Sequence, residues 1–157
     1  QVQRVERHHP RGGFPLGAVL ATQNAASGMT VGTHGSTYGG NPLACAVGCA
    51  VMDIVTDATF LPEVNRKAGL LRQKLEGLVA QHPSVFAQVR GAGLMLGLKC
   101  VATNLDVVNA GYDNHLITIP AGDNTVRLLP PLNISDAEID DAIARLEKAA
   151  TQVALHV

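Results

Sequence analysis

The 157-residue sequence carries 12 basic and 13 acidic side chains and few aromatics, with no Trp, two Tyr and three Phe. Balanced charge and scarce rings exclude a polyanion-binding surface or a base-stacking platform, so no nucleic-acid partner is expected. No apolar run approaches the roughly 18–20 residues that cross a bilayer, no signal peptide opens the chain, and three cysteines lack framework spacing; no membrane and a reducing, cytoplasmic location are expected.

Residues 1–11 are polar and without periodicity, and they read as a tail. His8 and His9 are neighbours on an extended segment, so they point to opposite faces, and no metal site is expected there. Residues 12–22 form a Gly-Pro turn feeding a short apolar strand, and Gln23 to Met29 reads as a turn. The run Gly32-Thr33-His34-Gly35-Ser36-Thr37-Tyr38-Gly39-Gly40-Asn41-Pro42 packs four glycines and four hydroxyls into one loop. Asn41 and Pro42 read as N-cap and first helical residue. Hydroxyls and free N–H groups beside a helix start suit a phosphate, although the same composition also makes a solvated turn. The loop matches neither the Walker lysine pattern nor the dinucleotide fingerprint.

From Pro42 to Val55 nearly every residue is small or apolar, which predicts a helix buried all round, with Cys45 and Cys49 as core cysteines. Pro62 is expected to open the next helix, with Val64, Ala68, Leu71, Leu75 and Leu78 on its buried stripe and Pro83 beyond its end. Strands follow over Val85–Arg90 and Leu94–Val101, with Gly97 marking a close approach. Arg90 reads as a structural anchor in preference to a carboxylate binder. A helix over about Asn104–Asn114, a strand over Leu116–Ile119, a tight turn at 121–124 and a strand from Thr125 come next. Alternation sets Arg127 opposite Val126 and Leu128. A guanidinium in so apolar a strand needs a partner, either an internal carboxylate or one on a substrate. Ser135 and Glu138 form a capping box, and Ile134 and Ile139 a hydrophobic staple, at the head of the last helix. The alternation of helices and strands indicates an α/β or α+β domain.

Four runs, in order, carry a resemblance: Gly12-Gly13-Phe14-Pro15-Leu16-Gly17-Ala18, the Gly32–Ala44 loop, Arg90-Gly91-Ala92-Gly93-Leu94-Met95-Leu96-Gly97 and Val126-Arg127-Leu128-Leu129-Pro130-Pro131-Leu132. Together they resemble the C-terminal part of a class III pyridoxal-phosphate aminotransferase, and within that family the acetylornithine aminotransferases of arginine biosynthesis. The resemblance implies an α/β fold, the C-terminal portion of a fold-type I transferase. Residues 12–60 would end the large cofactor domain, and residues 61–157 would form the small C-terminal domain. It implies pyridoxal 5'-phosphate as cofactor, an amino acid and a 2-oxo acid as substrates, and a homodimer whose loop reaches the partner's cofactor. Thr37 would bond the phosphate, Ser36 the phosphate or the acylated substrate, and Arg127 would lie near the substrate carboxylate or its gating glutamate.

The family's catalytic lysine stands four residues before Gly12-Gly13, where this sequence has His8, and the first lysine is Lys67. A histidine cannot form the imine on which the chemistry depends. No catalytic residue is therefore expected within the chain, which reads as a fragment or a truncated or frame-shifted product, needing a large-domain chain for activity. The alternatives are an inactive dimerising remnant, an ornithine, succinylornithine or 4-aminobutyrate aminotransferase, and a free-standing phosphate-binding domain.

Overall fold

The computed structural model describes residues 14, 16–17, 21–33 and 35–155. His8, His9 and most of the strand expected before Thr22 lie outside the described residues. The chain divides into two compact units, Gln1–Phe60 and Leu61–Val157.

In the first unit the segment read as a turn starts with a one-turn helix, α1 (Gln23–Ala26). Thr22 caps it, its hydroxyl accepting from the Ala25 N–H at 3.3 Å, and no Gly or Pro interrupts it before Gly28. The second helix, α2 (Pro42–Val55), begins where Asn41 and Pro42 place it. Its expected burial is not observed. Only Ala44 is buried, whereas Leu43, Met52 and Ile54 are more than half exposed and both Cys45 and Cys49 are exposed. Apolar composition sets what a helix would bury, but burial needs a covering layer, and the described residues of this unit supply little beyond Leu16 beside Gly48.

The second unit opens with α3 (Phe60–Gln81). It starts two residues before Pro62, because Asp57 accepts from the Thr59 N–H through its side chain and from the Phe60 N–H through its carbonyl, turning the chain early. Proline is tolerated within that first turn. Then come β1 (Phe86–Ala92), β2 (Met95–Cys100), α4 (Asn104–Asp113), β3 (Ile119–Ala121), β4 (Thr125–Leu128) and α5 (Asp136–Ala154). The four strands form one antiparallel sheet in the order β1-β2-β4-β3. Strand β1 runs to Ala92, further than expected, because Gly91 adopts φ +106°. A Cβ there would lie 2.2 Å from the Met95 carbonyl oxygen, so only glycine lets the hairpin close.

Strand β3 begins three residues later than expected. The residues before it are used to end α4: His115 takes φ +58° and the Leu116 N–H returns to the Gly111 carbonyl at 2.8 Å.

One sheet face carries the core. Leu96, Leu98, Val126 and Leu128 are buried, together with Leu71, Leu75 and Leu78 of α3, Val107 and Val108 of α4, and Ile139, Leu146 and Ala150 of α5. Each large aliphatic side chain buried there contributes about 1.5–3 kcal/mol. The head of α5 is fixed by the full capping box between Ser135 and Glu138. Ion pairs from Arg66 to Asp136 and from Lys74 to Asp140 link α3 to the first turns of α5. Among the described residues no single helix is long and apolar enough to cross a membrane.

Candidate functional site

In the first unit the loop before α2 is a set of hydrogen-bond donors with few internal obligations. Asn41 accepts from the Ala44 N–H at 3.1 Å through its side chain, and Pro42 has no N–H to satisfy. The Thr33 hydroxyl is taken, donating to the Thr30 carbonyl at 2.7 Å. The hydroxyls of Ser36 and Thr37 are exposed and have no hydrogen bond to any described residue. Residues 12–52 contain no Asp, Glu, Lys or Arg, so the loop itself carries no carboxylate to oppose an anion. Two free hydroxyls in the loop that leads into a helix, in a stretch without acids, are a donor set that fits a phosphate ester.

In the second unit the sheet face opposite the core is open and carries the cations. Register sets Arg90, Gly97, Arg127 and Ile119 side by side on β1, β2, β4 and β3, and Gln88, Lys99, Thr125 and Ala121 in the next row. Arg127 is exposed while Val126 is 0% and Leu128 8% exposed, so the strand alternates as its sequence indicates. Of the two partners weighed for Arg127, the internal carboxylate is not found: among the described residues Arg127 makes no ion pair or side-chain hydrogen bond. Alternation turns the guanidinium to the open face, where solvent hydrates it and no carboxylate is required. Its row neighbour on β2 is Gly97, which puts no side chain beside it.

The other two cations are held. Arg90 Nη1 donates to the Asp123 carboxylate, and Lys99 Nζ donates to both Asp123 Oδ1 and the Asp123 carbonyl at 2.7 Å each. These donors, Lys99 first and then Arg90, hold the Asp123 carboxyl below the usual aspartate range. With the Gln88 amide oriented by its network, its oxygen accepts from Arg90 Nε and Nη2 at 2.7 Å each. Arg90 is thus anchored on both sides.

The residue that organises this end of the sheet escapes the sequence reading. Asn124, at φ +44°, accepts from the Asn104 N–H at 2.8 Å and donates to the Cys100 and Ala102 carbonyls at 3.0 and 2.8 Å. Its one sequence signal is the Gly-Asp-Asn order, since Asp and Asn tolerate left-handed backbone better than other side chains.

The Aminotransferase class-III family profile matches residues 10–150. The chain belongs to the class-III aminotransferases. Among sequences, it is 61% identical over 142 residues to the acetylornithine aminotransferase of Rhodobacter capsulatus, covering 90% of this chain and 36% of that relative. It is 54% identical over 143 residues to the one from Mesorhizobium japonicum, covering 91% of this chain and 36% of that relative. Among solved structures, the acetylornithine aminotransferase of Elizabethkingia anophelis superposes with TM-score 0.79 at 33% identity, over 90% of this chain and 39% of that one. The N-acetylornithine aminotransferase of Stenotrophomonas maltophilia gives 0.79 at 30%, over 94% and 39%. This class-III chain therefore spans little more than a third of the relatives it matches.

Proposed function

We propose that this chain is the C-terminal share of an acetylornithine aminotransferase, an enzyme that moves an amino group from N-acetylornithine to 2-oxoglutarate with pyridoxal 5'-phosphate. The observation that carries the reading is the 61% identity over 142 residues to the Rhodobacter capsulatus enzyme. In this reading residues 12–60 close the large domain, residues 61–157 are the small domain, and the protein works as a cytoplasmic homodimer.

Ser36 and Thr37 hold the cofactor's phosphate, their free hydroxyls donating to an anion of about −2 charge, each bond contributing about 1.5–3 kcal/mol. When bound, pyridoxal phosphate supplies the electron sink that lets an amino group pass between carbon skeletons. Arg127 receives a substrate carboxylate through two parallel N–H donors, and that planar fork fixes the direction in which the substrate lies.

The chain's own lysines begin at Lys67, which favours a second statement: alone it performs no transamination. Grafting the 142 aligned residues into the Rhodobacter capsulatus enzyme in place of its matching segment tests both. The graft is expected to form glutamate from N-acetylornithine and 2-oxoglutarate. Arg127→Gln within it should raise KM for the carboxylate substrates by about 10- to 100-fold, the loss expected for a charge-assisted pair. A folded graft that prefers ornithine, succinylornithine or 4-aminobutyrate would reassign the donor. The isolated chain, mixed with pyridoxal phosphate and reduced with borohydride, is expected to show only scattered substoichiometric labelling of its amines by mass spectrometry, with no adduct concentrated on one lysine.

A further inference from the structure

The open sheet face carries three cations, Arg90, Lys99 and Arg127, yet only Arg127 has its donors free among the described residues. Arg90 and Arg127 stand in one row with Gly97 between them, two strand spacings or about 10 Å apart. Long guanidinium arms rooted at that distance can converge on one small dianion above the strand between them. A single carboxylate prevents this. Asp123 meets Arg90 with one oxygen and Lys99 with the other, and its carbonyl takes a second bond from Lys99.

We infer that Asp123 is a specificity-determining positioning residue: it is a built-in carboxylate that occupies Arg90 and Lys99 and so reserves carboxylate capture on this face for Arg127. This rests on the reading that Arg127 receives a substrate carboxylate. The turn is shaped for the task. Asp123 takes φ +54°, which puts its carbonyl and its carboxylate on the same ammonium group. The ion pairs are well exposed, with the Asp123 side chain 64% accessible, so they contribute little to stability, and the arrangement is better explained by what it withholds from solvent anions.

The test uses the full 157-residue chain, isotope-labelled, and follows the arginine Nε–H resonances by NMR during titration with glutarate and, separately, acetate. In the unaltered chain Arg127 is expected to respond and Arg90 to stay silent. In Asp123→Asn, Arg90 should respond as well, and glutarate should bind at least about 3-fold tighter while acetate changes by less, since a dianion gains from two freed cations. Asn tolerates the left-handed φ, and Asp123→Gly repeats the test should the first variant fail to fold. Adding both Arg90→Gln and Lys99→Gln to Asp123→Asn should abolish the gain. An Arg90 that responds in the unaltered chain, or stays silent in both Asp123 variants, overturns the inference, as does a gain that survives loss of both freed cations. Silence of Arg127 in the unaltered chain is a different result: it overturns the carboxylate reading beneath the inference.

Discussion

Gly97 and Thr125 lie on a diagonal across β2 and β4, so close that a Cβ on Gly97 would sit 2.7 Å from the Thr125 methyl. The methyl fills the space a side chain would need, and Thr125 is 9% exposed with its hydroxyl bonded to the Asp123 carbonyl at 2.9 Å. A β-branched side chain tied in this way has no free rotamer into which to retreat. Gly97→Ala is therefore expected to destabilise the second unit by about 1–3 kcal/mol, the usual range for overpacking. Thr125→Ser, which removes the methyl and keeps the hydroxyl, should recover most of that loss in the double variant. Chemical denaturation of the four chains of the cycle measures it; additive losses would mean that the crowding lies elsewhere.

The same corner depends on Asn124. Its side chain makes three bonds to the backbone around Cys100–Asn104, and its own carbonyl accepts from the Cys100 N–H at 2.9 Å. Asn124→Ala removes the three bonds and puts a Cβ residue without local compensation at φ +44°, for an expected loss of about 3 kcal/mol or more. Asn124→Gly loses the same bonds without the backbone penalty and should be less damaging by about 1 kcal/mol. Equal losses for the two variants in thermal unfolding would show that the backbone conformation is not strained for Ala.

What the amino-acid order discloses and what it conceals divide along physical lines. The α3 stripe from Val64 to Leu78 is buried throughout, and the Ser135–Glu138 box closes as its spacing predicts, because both are written within one helix. The two faces of β4 follow from alternation alone, and so does the direction in which Arg127 points. Burial of α2 fails because it concerns a neighbour rather than the helix: Leu43, Met52 and Ile54 are as apolar as core residues, yet stand exposed. The start of β3 is missed for a related reason. Leu116 and Thr118 look like strand residues, but the α4 terminus claims the backbone at Leu116 first. Asn124 is concealed most fully, since its partners lie 20 and more positions away along the chain.

Thr118 is 2% exposed, and its hydroxyl has no hydrogen-bond partner among the described residues. It borders an apolar cavity of about 140 Å³ between Leu71, Leu128, Ile134 and Ile139. A buried hydroxyl without a partner has lost its hydration for no return. Thr118→Val keeps the shape and removes the polar atom, and is expected to stabilise the second unit by about 1 kcal/mol. Thr118→Ser retains the hydroxyl and loses a methyl, so it should destabilise. A Val variant less stable than the parent in denaturant titration would show that the hydroxyl is bonded in solution.

The cysteines should separate into two kinetic classes. Cys45 and Cys49 are exposed on α2, one helical turn apart, whereas Cys100 is buried at the end of β2. Burial pushes the Cys100 thiol up to about 11, and because the thiolate is the nucleophile, both access and ionisation protect it. At pH 8 a disulfide reagent is expected to modify two thiols quickly and the third only as fast as the second unit opens, with denaturant abolishing the difference. The sign of the linkage follows from the raised value. The folded state keeps its proton more tightly than the unfolded state, whose thiol titrates near the ordinary 9.0. Stability from this group is therefore present below pH 9 and falls as pH rises through the window up to about 11. Cys100→Ala should remove that alkaline slope, at the cost of a small cavity, and leave the two fast thiols unchanged. Three thiols reacting together at pH 8 in the folded chain would contradict the burial of Cys100.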